Sequence, residues 1–201
     1  MARPSTQAKR RNDLIQATLA AAAERGLREL SMTDVAREAG LTRGALLYYY
    51  EDLDALLVEA HDAGNQRIGD QRDALVMKER SPGRQLRVAI DAGLPNGPDD
   101  ALMRLLYEFD ILAGNSKLHD YLVERMYQRQ LAVYAEILSS GTASGDFSPT
   151  GDLHDIAMNF VALEDAYGLH IVGGNKLMTV QAARRAIYLF AEQAGCPVGP
   201  E

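Results

Sequence analysis

The sequence predicts an all-α chain in which a small N-terminal helical domain precedes a larger helical domain. Apolar residues recur at intervals of three and four along most of its length, from about Ala8 to Ala194. Helix-start signals stand in front of these runs at Ser31, Thr42, Asp52, Ser81-Pro82 and Thr179, and glycines close the first two at Gly26 and Gly40. With 201 residues and 47% hydrophobic content, the chain can form one compact domain or a small domain fused to a larger one.

The first stretch, MARPSTQAKRR, is polar and basic with no apolar period, and reads as a flexible arm. Such an arm either lies along a minor groove or is a solubilising tail. A helix is expected over about Ala8–Arg25, with Ile15, Leu19 and Ala22 on one side. In SMTDVAREAGLTRGALLYYY, Ser31 and Asp34 form a capping-box pair, Gly40 suits a left-handed stop, and Thr42 caps a second helix whose inner side holds Leu46 and Leu47. Two short helices parted by such a turn outline a helix-turn-helix.

Asp52 caps a long helix reaching about Lys78, weakened at Gly64 and Gly69 and polar in its second half, which suits a connector. His61 borders its apolar stripe, as a packed histidine or a ligand contact. Ser81-Pro82 opens a short helix, and GLPNGP breaks it. The next helix is expected to reach about Ala113, with Leu102, Leu105, Leu106, Phe109 and Leu112 inward and Arg104 and Glu108 as an exposed pair. Asp110 on this helix is bordered by Met103 and Tyr107. Asn115-Ser116 caps a helix to about Leu138, on which Tyr127, Gln130 and Tyr134 point toward one region, either as a core edge or as a ligand wall. SSGTASGDFSPTG reads as a loop pinned by Phe147.

The helix expected over Asp152–Val172 is apolar on two faces, and a last helix covers about Thr179–Ala194. Together they suit a twofold interface built as a four-helix bundle. Glu164 continues the Ile156, Phe160 and Tyr167 stripe, whereas Asp165 continues that of Met158, Ala162 and Leu169. A buried carboxylate requires a partner, either an internal Arg or Tyr hydroxyl or a cationic ligand.

Charge is unevenly shared. Residues 1–50 hold eight basic side chains against five acids, a balance of +3, leaving −10 for the remainder of a chain whose net charge is −7. A basic end favours a polyanionic phosphate backbone, while an acidic body opposes indiscriminate binding. No membrane span or signal-peptide pattern is expected, and the cytoplasm is the expected compartment. The lone Cys196 allows no internal disulfide. No nucleophile with a nearby base, no metal-ligand spacing and no phosphate loop is visible, so neither an enzyme nor a cofactor is expected.

The continuation GALLYYYEDLDALLVEA, Gly44–Ala60, resembles the end of the DNA-binding domain of TetR-family transcriptional regulators. That family reads Gly-Thr-Leu-Tyr-any-His-Phe and then, one residue on, Ser-Lys; here Ala45, Leu47, Tyr49, Tyr50, Asp52 and Leu53 stand at the Thr, Tyr, His, Phe, Ser and Lys positions. Through Tyr107-Glu108-Phe109, Gly145-Asp146-Phe147 and Ala162-Leu163-Glu164-Asp165, the stretch from about Leu105 to Ile171 is more weakly similar to the subgroup of the choline-responsive BetI regulators, without its tryptophans. The resemblance implies about nine helices, a DNA-binding domain over residues 1–52, and an effector-binding and dimerisation domain over 53–201. It places Ser31, Thr33, Thr42, Arg43, Gly44, Tyr48 and Tyr49 at family positions that meet DNA, with Arg43 reading a base and the tyrosines holding phosphates.

The expected function is therefore that of a dimeric repressor of a palindromic operator, released by an unidentified small-molecule effector. The expected effector contacts are Met103, Tyr107, Asp110, Tyr127, Gln130, Tyr134, Phe160, Glu164 and Tyr167. The competing reading is a helical adaptor or small-molecule-binding protein that does not bind DNA.

Overall fold

The computed structural model describes residues 3–110 and 117–200. Among the described residues there are nine α-helices, one 3-10 turn and no strand; the all-α class is what the periodicity predicts, and about nine helices is what the resemblance implies. In chain order these are α1 (Arg3–Arg25), α2 (Met32–Glu38), α3 (Arg43–Leu47), α4 (Leu53–Val76) and α5 (Pro82–Gly93). They are followed by α6 (Ala101–Asp110), α7 (Lys117–Ser144), α8 (Leu153–Val172) and α9 (Val180–Gln193), and the 3-10 turn, Leu27–Glu29, follows α1.

The helices form two compact units, Met1–Gln66 with Ala101–Val123, and Arg67–Asp100 with Glu124–Glu201. The division that the resemblance implies lies between residues 52 and 53. The compact units divide the chain elsewhere, with α6 and the start of α7 joining the first. There, Leu14, Val35, Leu46, Leu56, Leu105 and Phe109 meet in one apolar core. In the second unit Leu86, Ile90, Leu138, Phe160, Val161 and Ile187 do the same.

Several expectations are corrected. The basic N-terminal stretch is helical from Arg3 rather than a flexible arm, because Pro4 falls in the first turn, where its missing N–H removes no intrahelical bond. Helix α7 runs on to Ser144 through residues that read as loop. The hydroxyls of Ser140, Thr142 and Ser144 donate back to the carbonyls of Ile137, Leu138 and Gly141 at 3.0, 2.8 and 3.1 Å, satisfying those polar side chains along the helix itself. Gly145, at φ 80°, then ends it. The ring of Phe147 packs so closely on Gly141 that any added Cβ would collide with it.

Glu108 accepts a hydrogen bond of 3.0 Å from the Leu27 backbone N–H instead of standing exposed, fastening α6 to the turn after α1. Leu47 faces outward rather than sharing the inner side with Leu46. The expected cap at Asn115-Ser116, with Leu112 and Ala113, lies outside the described residues.

Candidate nucleic-acid interface and effector-binding residues

The helix-turn-helix is built from local chemistry. Ser31 Oγ accepts from Asp34 N–H at 3.3 Å while the Asp34 carboxylate accepts from Ser31 N–H at 3.1 Å, completing the capping box. The Ser31 hydroxyl also donates to Asp34 Oδ2 at 2.5 Å. That bond, followed by Arg25 and Arg37 at 3.4 and 2.9 Å, holds the Asp34 carboxyl below its ordinary value. At the other end Gly40 adopts φ 64°, and the N–H groups of Leu41 and Gly40 return to the carbonyls of Ala36 and Arg37 at 2.7 and 3.1 Å. This is the Schellman closure that a left-handed glycine permits. Thr42 Oγ1 then accepts from Ala45 N–H at 3.2 Å and starts α3.

Met32, Val35, Ala36 and Leu46 are buried and fix both helices on the core, so the opposite faces project outward. Of the residues expected to meet DNA, Ser31, Thr33, Thr42, Arg43, Gly44 and Tyr48 are exposed, Tyr48 at 83%, and Tyr49 is half-buried. The two tyrosine rings meet edge to face at 5.3 Å, which props Tyr48 against its neighbour. Gly44 has open space where a Cβ would stand.

Arg11, by contrast, is engaged within the fold. Its guanidinium pairs with Glu59 at 2.7 Å and lies 5.0 Å from the centroid of the Tyr50 ring, joining α1 to α4. The pairing raises the Arg11 pKa, and Glu59 is held low by the Arg11 and Tyr50 bonds against the opposing effect of burial.

The expected effector residues are spread over both units. Met103, Tyr107 and Asp110 are half-buried on α6 in the first. Asp110 Oδ1 lies 3.3 Å from Nε2 of the buried His61, which also lies 3.0 Å from the Asn65 amide nitrogen. His61 stacks on Phe109 at 3.8 Å, and the equally buried His119 packs against the same ring at 4.5 Å. His61 is thus a packed histidine.

In the second unit Tyr134, Phe160 and Glu164 are buried, while Tyr127, Gln130 and Tyr167 are half-buried. Arg72, on α4 and 5% exposed, donates to Glu164 Oε1 at 2.9 Å. The Tyr134 hydroxyl donates to the same oxygen, its ring stacks on Phe160 at 4.8 Å, and the Arg72 guanidinium lies 4.8 Å from that ring. Backbone Cα of Gly93 closes the other side, since an added Cβ there would collide with the Glu164 carboxylate.

Burial pushes the Glu164 carboxyl up to about 7 against the pull of Arg72 and Tyr134. Arg72 stays charged, its pKa raised by Glu164 in spite of burial, and burial keeps the Tyr134 phenol protonated. Sequence reasoning missed Arg72. It lies in the polar half of α4, and its partner is 92 residues away, so no local spacing announces the pair.

Among the described residues, no group of three or more His, Cys, Asp and Glu side chains could hold a metal ion, and no helix is long and apolar enough to cross a membrane.

The helix-turn-helix geometry agrees with comparisons to known proteins. Residues 14–60 match the bacterial regulatory proteins of the tetR family. The transcriptional repressor KstR2 of Mycolicibacterium smegmatis is 23% identical over 158 residues, covering 79% of this chain and 77% of its own. A BetI transcriptional regulator of Pectobacterium carotovorum is 27% identical over 131 residues, 64% of this chain and 65% of its own. In fold, the chain is similar to a transcriptional regulator of Saccharomonospora viridis solved in complex with choline, with a TM-score of 0.84 at 19% identity over 92% of this chain and 96% of the other. Residues 14–60 thus carry a segment like that of the tetR family of bacterial regulatory proteins, and beyond that segment the chain is similar in sequence and fold to transcriptional regulators of this kind.

Proposed function

We propose that this regulator binds a palindromic operator as a homodimer, represses transcription from it in the cytoplasm, and is released by a small-molecule effector. The observation that carries the reading is the outward face of α3. Arg43 and Tyr48 project from a helix that the Thr42 side chain caps just after the Gly40 turn, with Leu46 buried behind them. A guanidinium so placed can engage guanine O6 and N7 together, and phenols beside it suit phosphate oxygens. Repression follows the named activity of the relative KstR2.

The dimer is supported by apolar residues left outside on α8 and α9. Met158, Leu169 and Leu189 are 41, 47 and 55% exposed. Pairing these helices with those of a second copy covers them and sets two recognition helices about 34–36 Å apart, one turn of B-DNA. Effector contact is proposed for Tyr127, Gln130, Tyr134, Phe160, Glu164 and Tyr167, and as a separate set for Met103, Tyr107 and Asp110 on α6.

The S. viridis regulator binds choline. Here the carboxylate of Glu164 already has Arg72 as counter-ion and the chain has no tryptophan, so a ligand at this cluster meets balanced charge. An apolar body with hydrogen-bonding groups suits it better than a quaternary ammonium. Helix α4, which carries Arg72 and continues from Leu53, offers the route by which an effector shifts the population of DNA-binding states.

The test is a gel shift with operator duplexes selected from random sequence, with and without small molecules recovered from the purified protein by native mass spectrometry. A specific complex dispersed by a recovered molecule is expected. Absence of any specific complex at low salt would leave the adaptor reading in its place.

A further inference from the structure

The recognition helix presents an apolar side chain beside its cation. Leu47 is 38% exposed although its neighbour Leu46 is fully buried. It follows Arg43 by four residues, so the two side chains stand one above the other on one strip of α3. Gly44 flanks that strip with open space beside it, and no acid occurs between Arg43 and Leu47. Tyr48 continues the outer face at its far end.

A leucine in this place offers no hydrogen bond to a phosphate or to a base edge. Of the four bases, only thymine puts a methyl group into the major groove, and that methyl is the one surface there that gains by losing water against an aliphatic side chain. One helical turn advances 5.4 Å, between one and two base-pair steps of 3.4 Å.

We propose that Leu47 is a specificity-determining residue that packs on the 5-methyl group of a thymine one or two base pairs from the guanine engaged by Arg43. The inference rests on the proposed operator binding and adds the chemistry of one position in each half-site. Arg43 supplies hydrogen bonds to guanine and Leu47 excludes water from the neighbouring thymine, so each half-site carries both bases within reach of five residues of α3.

The test uses the full-length protein and an operator selected by it from random duplexes. Thymines are replaced singly by deoxyuridine, which removes the methyl and leaves every hydrogen-bonding group in place. One position per half-site is expected to lose about fourfold in affinity, the equivalent of one apolar carbon returned to water. Leu47→Ala should lose a similar factor on the thymine operator and become indifferent to deoxyuridine there, while Leu47→Met retains the sensitivity. Because Leu47 lies outside the core, thermal unfolding of Leu47→Ala should match that of the parent. Full deoxyuridine sensitivity in Leu47→Ala, or a selected operator with no thymine within two base pairs of the Arg43-dependent guanine, overturns the proposal while leaving operator binding intact. If the selection enriches no sequence, operator binding itself fails and this inference with it.

Discussion

Arg43 and Glu164 are both ionisable side chains on helices, yet their surroundings are opposite. Arg43 is exposed on α3, and a bidentate contact to guanine is worth about 1–3 kcal/mol of discrimination. Arg43→Ala is therefore expected to cost about that much in specific affinity while leaving non-specific binding and its salt slope nearly unchanged, as competition titrations at several salt concentrations would read. Glu164 is enclosed by Arg72, Tyr134 and Gly93, and its folded-state pKa of about 7 lies above the ordinary 4.5. The folded state thus holds this proton more tightly than the unfolded chain. Its contribution to stability is full below about 4.5 and is lost as pH rises to about 7. Subtracting the pH-stability curve of Glu164→Gln from that of the parent should give a difference that falls through this window and is flat above it; a difference that rises instead would mean that Arg72 outweighs burial. The need for a partner at Glu164 is legible in the sequence because an acid interrupts an apolar helix. The identity of that partner is not, since Arg72 sits among polar residues and comes near only through tertiary packing.

At the scale of elements, the helix-turn-helix follows from side chains a few residues apart, and this is why it was readable. Ser31, Thr42, Ser81 and Thr179 all serve as the caps their positions predict, each accepting from a backbone N–H three residues on. Ser31→Ala should destabilise the first unit by about 1 kcal/mol, seen in thermal unfolding, and should loosen α2 without altering the second core. The extent of α7 was less readable, because Ser, Thr and Gly favour loops in general and only the return of each hydroxyl to a carbonyl one turn back keeps them helical here. The link between Glu108 and Leu27 N–H, 81 residues apart, was invisible for the same reason as Arg72. Removing it in Glu108→Ala leaves a backbone donor at the end of α1 without its charged acceptor, which costs roughly 1–2 kcal/mol for a half-buried group. Amide exchange at Leu27 should quicken in that variant, whereas unchanged protection there would show that α1 and α6 hold together by apolar contact alone.

For the whole molecule, the proposed homodimer rests on the split of charge and the outward apolar stripe of α8. One basic head with a balance of +3 on a chain of net charge −7 holds DNA weakly by itself. Joining two heads turns the second contact into an intramolecular event, a gain of about two to four orders of magnitude when the spacing matches. Met158, Ala162 and Leu169 recur at four and seven residues and so line one side of α8, while Leu189 stands outward on α9. These residues contribute nothing to the second core, whose side of α8 is formed by Ala157, Phe160, Val161 and Glu164. A charge placed on the outward side should therefore leave each chain folded and separate the copies. Leu169→Glu combined with Leu189→Glu is expected to sediment as a monomer with an unchanged helical spectrum, and to bind the selected operator about 100-fold or more weakly while keeping the parent's affinity for a single half-site. A variant that still sediments as a dimer would place the twofold interface on another surface. A monomer with full operator affinity would mean that one reading head suffices.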